Sequence, residues 1–378
     1  MVRILWMSNS PLLSTGYGVN TAEITKRLKK LGYDIVIAGF AGHMRGLTLQ
    51  YEGMYVLPIR YHPFMQDVIE LYFKKFKRDV VIAHFDIWVT PWLPQKLPTI
   101  AYSPIDMIFK GRISIPLRGV LEKCKLVVPF TREVEEICRK DLENVSSYIP
   151  HGIDTSVFKP MDKEEIRKEM GIGKDDFVIG IVAANMDKTD RKNFYGMLET
   201  IRKFIDEVKD DNIRIYIHSD IGDTVRGIYL AELIEQFGLK DRLYMTDMIY
   251  FDVGLPKKDL AKIYNAFDVL LNLCKRGGFE RIPLECMACG VVPLMTDWYN
   301  LREYLPEELR VRVKAVIGNA LAGEEAIADT DHAVELLKKL YYDTSFYNKM
   351  RKRCIEIAKK YDWDNIIPKW DKLLGELQ

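Results

Sequence analysis

The chain has little glutamine, no long apolar run, no second cysteine pair, no completed dinucleotide fingerprint and no low-complexity tract. Each shortage excludes something. Across 378 residues no stretch of about 18 uncharged apolar residues occurs, so no membrane-spanning helix is expected. The opening MVRILWMSNSPLL lacks the longer apolar stretch and small-residue cleavage site of a secretory signal and reads as a first buried strand. A cytoplasmic location is therefore expected. The six cysteines stand at 124, 138, 274, 286, 289 and 354. Cys286 and Cys289 form a C-x-x-C, but a four-ligand zinc site needs a second pair. They also fall inside the helical pattern PLECMACG, so ordinary buried thiols are expected and the pair implies no metal and no redox cofactor. Five glutamines against heavy Lys and Glu usage point to a heat-adapted source. The net charge of +1 leaves no overall excess for a nucleic-acid partner.

What is present is a globular composition, 48% hydrophobic and 29% charged, which suits a large core. The charge is unevenly spread. Residues 1–150 hold 20 basic and 14 acidic side chains, a net of +6, and the remainder nets −5. Part of that excess lies in Lys74, Lys75, Lys77 and Arg78. These four read either as a solvated helix face or as a peripheral contact to anionic lipid or a phosphorylated acceptor.

Short β-type runs alternate with longer helical ones. VRILWMSN precedes an amphipathic stretch from Val19 to Leu31, and DIVIAGF, DVVIAHF, PTIAYSP and KLVVPF follow. Nearly continuous hydrophobic strands are those of a parallel sheet covered on both faces. The pattern pauses at IPHGIDTSVFKPMDK, then restarts with FVIGIVAAN, IRIYIHSD, RLYMTD, DVLLNLC and VVPLM. The expected architecture is α/β, with two Rossmann-like doubly wound domains and ligand-facing loops at the C-terminal ends of their strands. The expected bounds are 1–155 and 156–361.

Three loops could carry chemistry. Gly16 and Gly18 follow the first strand and precede a helix, whose N-terminal amides attract phosphate. The spacing lacks the third glycine of the dinucleotide fingerprint, and a plain turn fits equally. No acidic residue is clearly placed after the second strand either, so an NAD-dependent dehydrogenase is disfavoured. The second loop, AANMDKTDRKNF, offers Asn185, Lys188, Arg191 and Lys192, cations able to clamp a diphosphate or to sit in solvent. The third runs LLNLCKRGGFERIPLECMACGVVPL. Gly277 and Gly278 expose backbone amides, a helix is expected from near Pro283, and Glu285 in its first turn could accept two hydroxyl hydrogen bonds or favour the dipole.

The order PHGID…FKP, AAN…DRKNF and YNAFDVLLNLC…GGFERIPLECMACGVVP resembles the retaining GT-B glycosyltransferases of the family 4 type. The resemblance spans nearly the whole chain and is strongest over residues 145–300. It implies two domains facing a central cleft, and a metal-independent transfer of a sugar from a nucleotide-diphosphate donor to an unidentified acceptor hydroxyl, with retention. The acceptor would be a glycan, a lipid-linked molecule or a small molecule. Arg191 and Lys192 would contact the donor diphosphate, Glu285 the ribose, and Gly278 and Phe279 the donor sugar or phosphate. The Gly16–Gly18 loop resembles the family's first glycine-rich loop, and DVVIAHFDIW its segment before the cleft. His84 and Asp106 become acceptor-side candidates, each readable also as a core histidine or a turn cap. YDWDNIIPKWDKLL resembles the helix, about 362–378, that returns to the first domain.

Two departures stand out. The family carries a glutamate eight residues before Glu285 that touches the donor sugar, where this chain has Gly277, while Glu280 occupies a position usually held by glycine and could substitute in the donor site from a different backbone angle. An arginine usual after the first strand of the second domain is replaced by Asn185. Many members also have a histidine after the PTIAYSP strand, where Ser103 and Asp106 stand. The missing glutamate keeps open a non-catalytic nucleotide- or sugar-binding protein, and the fold admits a nucleotide-sugar epimerase.

Overall fold

The computed structural model describes residues 2–41, 47–222 and 224–377, and for residues 252 and 253 the backbone alone. The chain divides into two compact units. One comprises Met1–Gly152, Gly318–Glu324 and Trp363–Gln378, the other Ile153–Ile317 and Glu325–Asp362. The boundary between Gly152 and Ile153 falls inside the PHGID segment.

The first unit is built on a seven-stranded sheet. Its strands are β1 (Arg3–Asn9), β2 (Asp34–Phe40), β3 (Leu49–Tyr51), β4 (Met54–Leu57), β5 (Val80–Ala83), β6 (Thr99–Ala101) and β7 (Leu126–Val127), in the order β3-β4-β2-β1-β5-β6-β7. All neighbours are parallel except the β3–β4 hairpin. The central strand shows why: Ile4, Leu5, Trp6 and Met7 are fully buried, so both faces of β1 are covered. Each such side chain contributes roughly 1.5–3 kcal/mol of transfer free energy.

Helix α1 (Gly16–Lys30) starts where Thr15, in extended conformation, accepts the Gly18 amide at 3.0 Å. It ends with Arg27, Lys29 and Lys30, which suit the negative end of the dipole. A short helix, α2 (Ile69–Lys75), carries two of the sequence's clustered lysines. The helix Trp363–Gly375, numbered α5 below, belongs to this unit. Its Trp370 is fully buried 5.5 Å from the Trp6 ring and 4.7 Å from Tyr102. Tyr33 donates to Asp371 at 2.7 Å. Trp363 lies so close to Gly152 that a Cβ there would meet its ring at 2.5 Å, so only glycine fits. The expected bound at 378 lies outside the described residues.

The second unit holds six parallel strands: β8 (Phe177–Val182), β9 (Ile213–His218), β10 (Leu243–Met245), β11 (Val269–Asn272), β12 (Val292–Thr296) and β13 (Arg310–Val311). Their order is β10-β9-β8-β11-β12-β13. Successive strands run outward from β8 in one direction, then resume at β11 on its other side. The sheet therefore has a topological switch point between β8 and β11, where open α/β sheets hold their ligands. In the first sheet the corresponding point lies between β1 and β5. Helix α3 (Phe194–Val208) follows β8, and α4 (Arg281–Ala288) follows β11.

Candidate functional site

The two loops flanking the second switch point contain most of the expected donor residues. Helix α4 begins at Arg281, two residues before the expected start, and Glu280 is its N-cap. Pro283 remains in the first turn, where its missing N–H costs nothing. Glu285 consequently opens the second turn rather than lying in the first.

The Glu280 side chain makes no capping hydrogen bond. Its carboxylate turns to Lys192, whose Nζ donates to Oε1 at 2.7 Å and Oε2 at 2.8 Å. Only 7% of Glu280 is exposed. Burial alone would raise its pKa, but the charge and hydrogen bonds of Lys192, the charge of Arg191 and a hydrogen bond from Asn272 prevail and hold it below the usual value. The Glu280 carbonyl accepts from the buried Tyr304 hydroxyl. A Cβ built on Gly277 would lie 2.6 Å from Glu280 Oε1 and 3.4 Å from Leu301. The carboxylate thus fills the space that a side chain at 277 would need. The sequence showed a glycine and a glutamate exchanged across three positions; their direct contact could not be read from spacing.

Glu285 is 4% exposed. Arg281 donates to it at 2.7 Å and the Tyr264 hydroxyl at 3.3 Å. Here burial wins over Arg281, Lys257 and Tyr264, and the pKa is raised. Two glutamates five residues apart are therefore pushed in opposite directions, one firmly ionised and one easier to protonate.

Arg191 lies on the backbone of the opposite loop, donating to the Arg276 carbonyl at 2.9 Å, with Asp187 3.6 Å away. Its own carbonyl accepts the Lys275 amide at 2.9 Å. These bonds draw the β8 and β11 loops together. Gly278 and Phe279 are half-buried, and the Phe279 ring sits 5.6 Å from Tyr304. The start of α3 is closed off: Asp190 accepts the amides of Phe194 and Tyr195 at 2.8 and 3.1 Å, and Asn193 accepts that of Gly196 at 3.2 Å. Asn193 could have been anticipated as an asparagine before an apolar periodic run. Asp190 carried no separate signal within DRKN.

Asn185 is 2% exposed and its amide donates to the carbonyls of Asp220 (3.2 Å) and Ile228 (3.1 Å), while accepting the Ile228 amide at 2.9 Å. Both N–H groups brace the loop after β9. Lys188 bonds the Thr224 carbonyl of the same loop. His218, at the end of β9, had no sequence signal. Burial lowers its pKa to about 4, and it lies 2.7 Å from the Thr246 hydroxyl.

In the first unit, Gly16 and Gly18 play different parts. A Cβ on Gly18 would lie 2.4 Å from the Leu13 carbonyl, so this glycine is required by packing within the loop. Gly16 is exposed, with open space where a Cβ would go. Across the switch point the Tyr17 hydroxyl donates to Asp86 at 2.8 Å, a pair missed in the sequence. His84 is fully buried among the rings of Trp6, Tyr17, Tyr102, Phe130 and His151 at 5.0–6.4 Å. His84 has no exposed surface and packs against these five rings, the setting its core reading describes. Ser103 is also buried, accepting the Ile87 amide at 3.1 Å. Asp106 is half-buried in the loop after β6. In the basic cluster, Lys74, Lys75 and Lys77 are exposed, but Arg78 is tied to Asp34 at 2.8 Å and to the Phe76 carbonyl at 2.7 Å. That correction leaves three cations, not four, facing solvent.

Among the described residues no three His, Cys, Asp or Glu side chains gather as metal ligands. The six cysteines are free and buried. No helix among the described residues is long and apolar enough to cross a membrane.

A fold of two such sheets is that of the GT-B glycosyltransferases. No family profile matches the chain. Sucrose-phosphate synthase from Thermosynechococcus elongatus is similar over 100% of this chain and 99% of its own, with a TM-score of 0.79 at 13% identity. HepE of Anabaena, solved in complex with UDP-glucose, covers 100% of both chains with a TM-score of 0.73 at 13% identity. WaaG, a glycosyltransferase involved in lipopolysaccharide biosynthesis, covers 98% of this chain and 99% of its own at a TM-score of 0.70 and 13% identity. In sequence, N-acetyl-alpha-D-glucosaminyl L-malate synthase of Bacillus anthracis is 21% identical over 236 residues, 62% of this chain. The match spans about half of that protein, 53% of its length.

Proposed function

We propose that this protein is a glycosyltransferase that takes a nucleotide-diphosphate sugar at the switch point of its second sheet. The observation that carries this reading is the Lys192–Glu280 pair with Arg191 beside it, where the β8 and β11 loops meet. A helix N-terminus without a side-chain cap, α4, adjoins them. The UDP-glucose held by HepE, of the same fold, supports a donor of this chemistry.

Lys192 and Arg191 contact the diphosphate, and Glu285 the ribose hydroxyls. The sugar C1–oxygen bond to the diphosphate breaks. The acceptor hydroxyl attacks C1 from the same face, and its proton passes to the departing phosphate oxygen, so configuration is retained. The two cations and the α4 amides stabilise the developing charge without a metal. Loops at the C-terminal ends of the first sheet, with Tyr17, Asp86 and Asp106, are assigned to the acceptor, and the Gly16–Gly18 loop to the donor. Lys74, Lys75 and Lys77 are assigned to a peripheral contact with an anionic membrane surface.

The test is a product assay with UDP-, GDP- and ADP-sugars and a panel of sugar, lipid-linked and small-molecule acceptors. Transfer that depends on the acceptor supports the proposal. Conversion of donor alone would indicate an epimerase. Nucleotide binding with neither reaction would indicate a non-catalytic binding protein, the alternative that Gly277 favours.

A further inference from the structure

Among the described strands, sheet edges are short with one exception. Both main sheets end in strands of two or three residues: β3 and β7 in the first, β10 and β13 in the second. Short edges are one way a protein keeps unpaired N–H and C=O groups from recruiting another chain. The exception is a hairpin after β13, made of β14 (Val313–Gly318) and β15 (Glu324–Ala328). β14 is six residues long, VKAVIG, and contains no proline. Lys314 to Gly318 are all exposed, Val316 to 47% and Ile317 to 44%. One edge of β14 pairs with β15, and alternate N–H and C=O groups along it point the other way. Among the described residues, no hydrogen bond from outside the hairpin reaches the backbone of Val313 to Ile317. β15, in contrast, is anchored. Ala326 and Ala328 are buried, the Ala326 amide donates to the Lys275 carbonyl at 2.9 Å, and Glu325 meets Arg276 at 2.8 Å. The hairpin thus holds an extended, largely apolar edge in solvent, and a strand that joins it pays little to order it.

We propose that β14 is a dimerisation strand, pairing antiparallel with β14 of a second copy of this chain about a two-fold axis. The inference does not depend on the nucleotide-sugar reading. A symmetric antiparallel pair sets one residue opposite itself. Centred on Val316, it brings Ala315 opposite Ile317 and Lys314 opposite Gly318. Centred on Ala315, it brings Val313 opposite Ile317 and Lys314 opposite Val316. Both registers pair apolar side chains and keep the one charge of the strand away from its own copy, as favourable cross-strand pairing requires. Charge also argues against a strongly acidic partner. Arg312 already lies 3.5 Å from Asp329. Asp331, held below its usual pKa first by Lys203, also takes the charge of Lys314. The edge is left nearly neutral, and what it matches is a strand like itself.

The test is sedimentation of the full chain over a wide range of concentration, with Val316→Lys beside the native protein. The native chain is expected to dimerise. Val316→Lys sets the new ammonium opposite itself in the first register and opposite Lys314 in the second. The dimer should therefore weaken by roughly tenfold or more in either. Position 316 is exposed, so the monomer fold should survive, which circular dichroism checks. Hydrogen exchange of the native protein gives a readout that needs no variant: amides within residues 313–318 should slow as the concentration rises through the dimer range. A native chain that stays monomeric overturns the inference and leaves the edge to a foreign strand. So does a dimer whose affinity Val316→Lys leaves unchanged, or one in which these amides exchange no more slowly than in the monomer.

Discussion

Glu280 places a carboxylate oxygen where a Cβ on Gly277 would stand only 2.6 Å away, so a side chain at 277 and the present position of this carboxylate exclude one another. The glycine is the steric condition for the glutamate, and the glutamate in turn anchors Lys192. Neither residue can be changed without affecting the cation on which diphosphate binding is proposed to depend.

On the proposed mechanism, Lys192→Ala removes one donor to the leaving group. Loss of such a contact costs about 2.7–4 kcal/mol in the transition state. Turnover on the identified donor and acceptor should fall by roughly a hundredfold or more. Initial-rate measurements check this, and unchanged turnover would remove Lys192 from the mechanism.

Much of this was legible before any coordinates. The hydrophobic runs gave the strand order its raw material, and the loops after FVIGIV and DVLLN stood out because Arg, Lys and Gly cluster there. Asn185 and His84 were not legible in the same way. An asparagine in a ligand loop and a histidine at a strand end look the same in sequence whether they face a ligand or the protein. The partners of Asn185, 35 to 43 residues away, and the five rings around His84 come into view only with the fold. Glu280 and Gly277 are the intermediate case. Their exchange was visible, while the contact that gives it meaning depends on how the chain turns into α4.

Asn185→Ala should destabilise the second unit by about 1–3 kcal/mol, because the part-buried backbone groups of Asp220 and Ile228 lose their partners. Hydrogen exchange should show faster opening confined to residues 219–222 and 224–228. A variant with native melting and native exchange there would contradict the bracing role.

The paired glycines of the first loop separate packing from ligand approach. Gly18→Ala forces a Cβ against the Leu13 carbonyl and should cost about 1–3 kcal/mol. Gly16→Ala meets nothing and should change stability by less than about 0.5 kcal/mol. Thermal melts of the two variants decide it, and equal costs would contradict the distinction.

His218 gives a pH signature. Burial lowers its folded pKa to about 4, from an unfolded value near 6.5. The unfolded chain therefore binds the extra proton between those values, and stability falls as pH drops from about 6.5 to about 4. At pH above the unfolded value the contribution is fully present. His218→Gln removes the titration, so the gap in melting midpoint between native protein and variant should narrow as the pH is lowered through this window. A gap independent of pH would show that the ring is not held neutral by burial.

The central claim is that the second unit binds a nucleotide diphosphate through Lys192. It is tested most directly by the melting midpoint of the full chain with UDP, GDP and ADP, since a ligand at about a hundred times its Kd stabilises the folded state by about 2.7 kcal/mol. The account predicts that one of the three raises the midpoint of the native protein and that Lys192→Ala largely loses that rise. No shift with any nucleotide, or an equal shift in the variant, would contradict it.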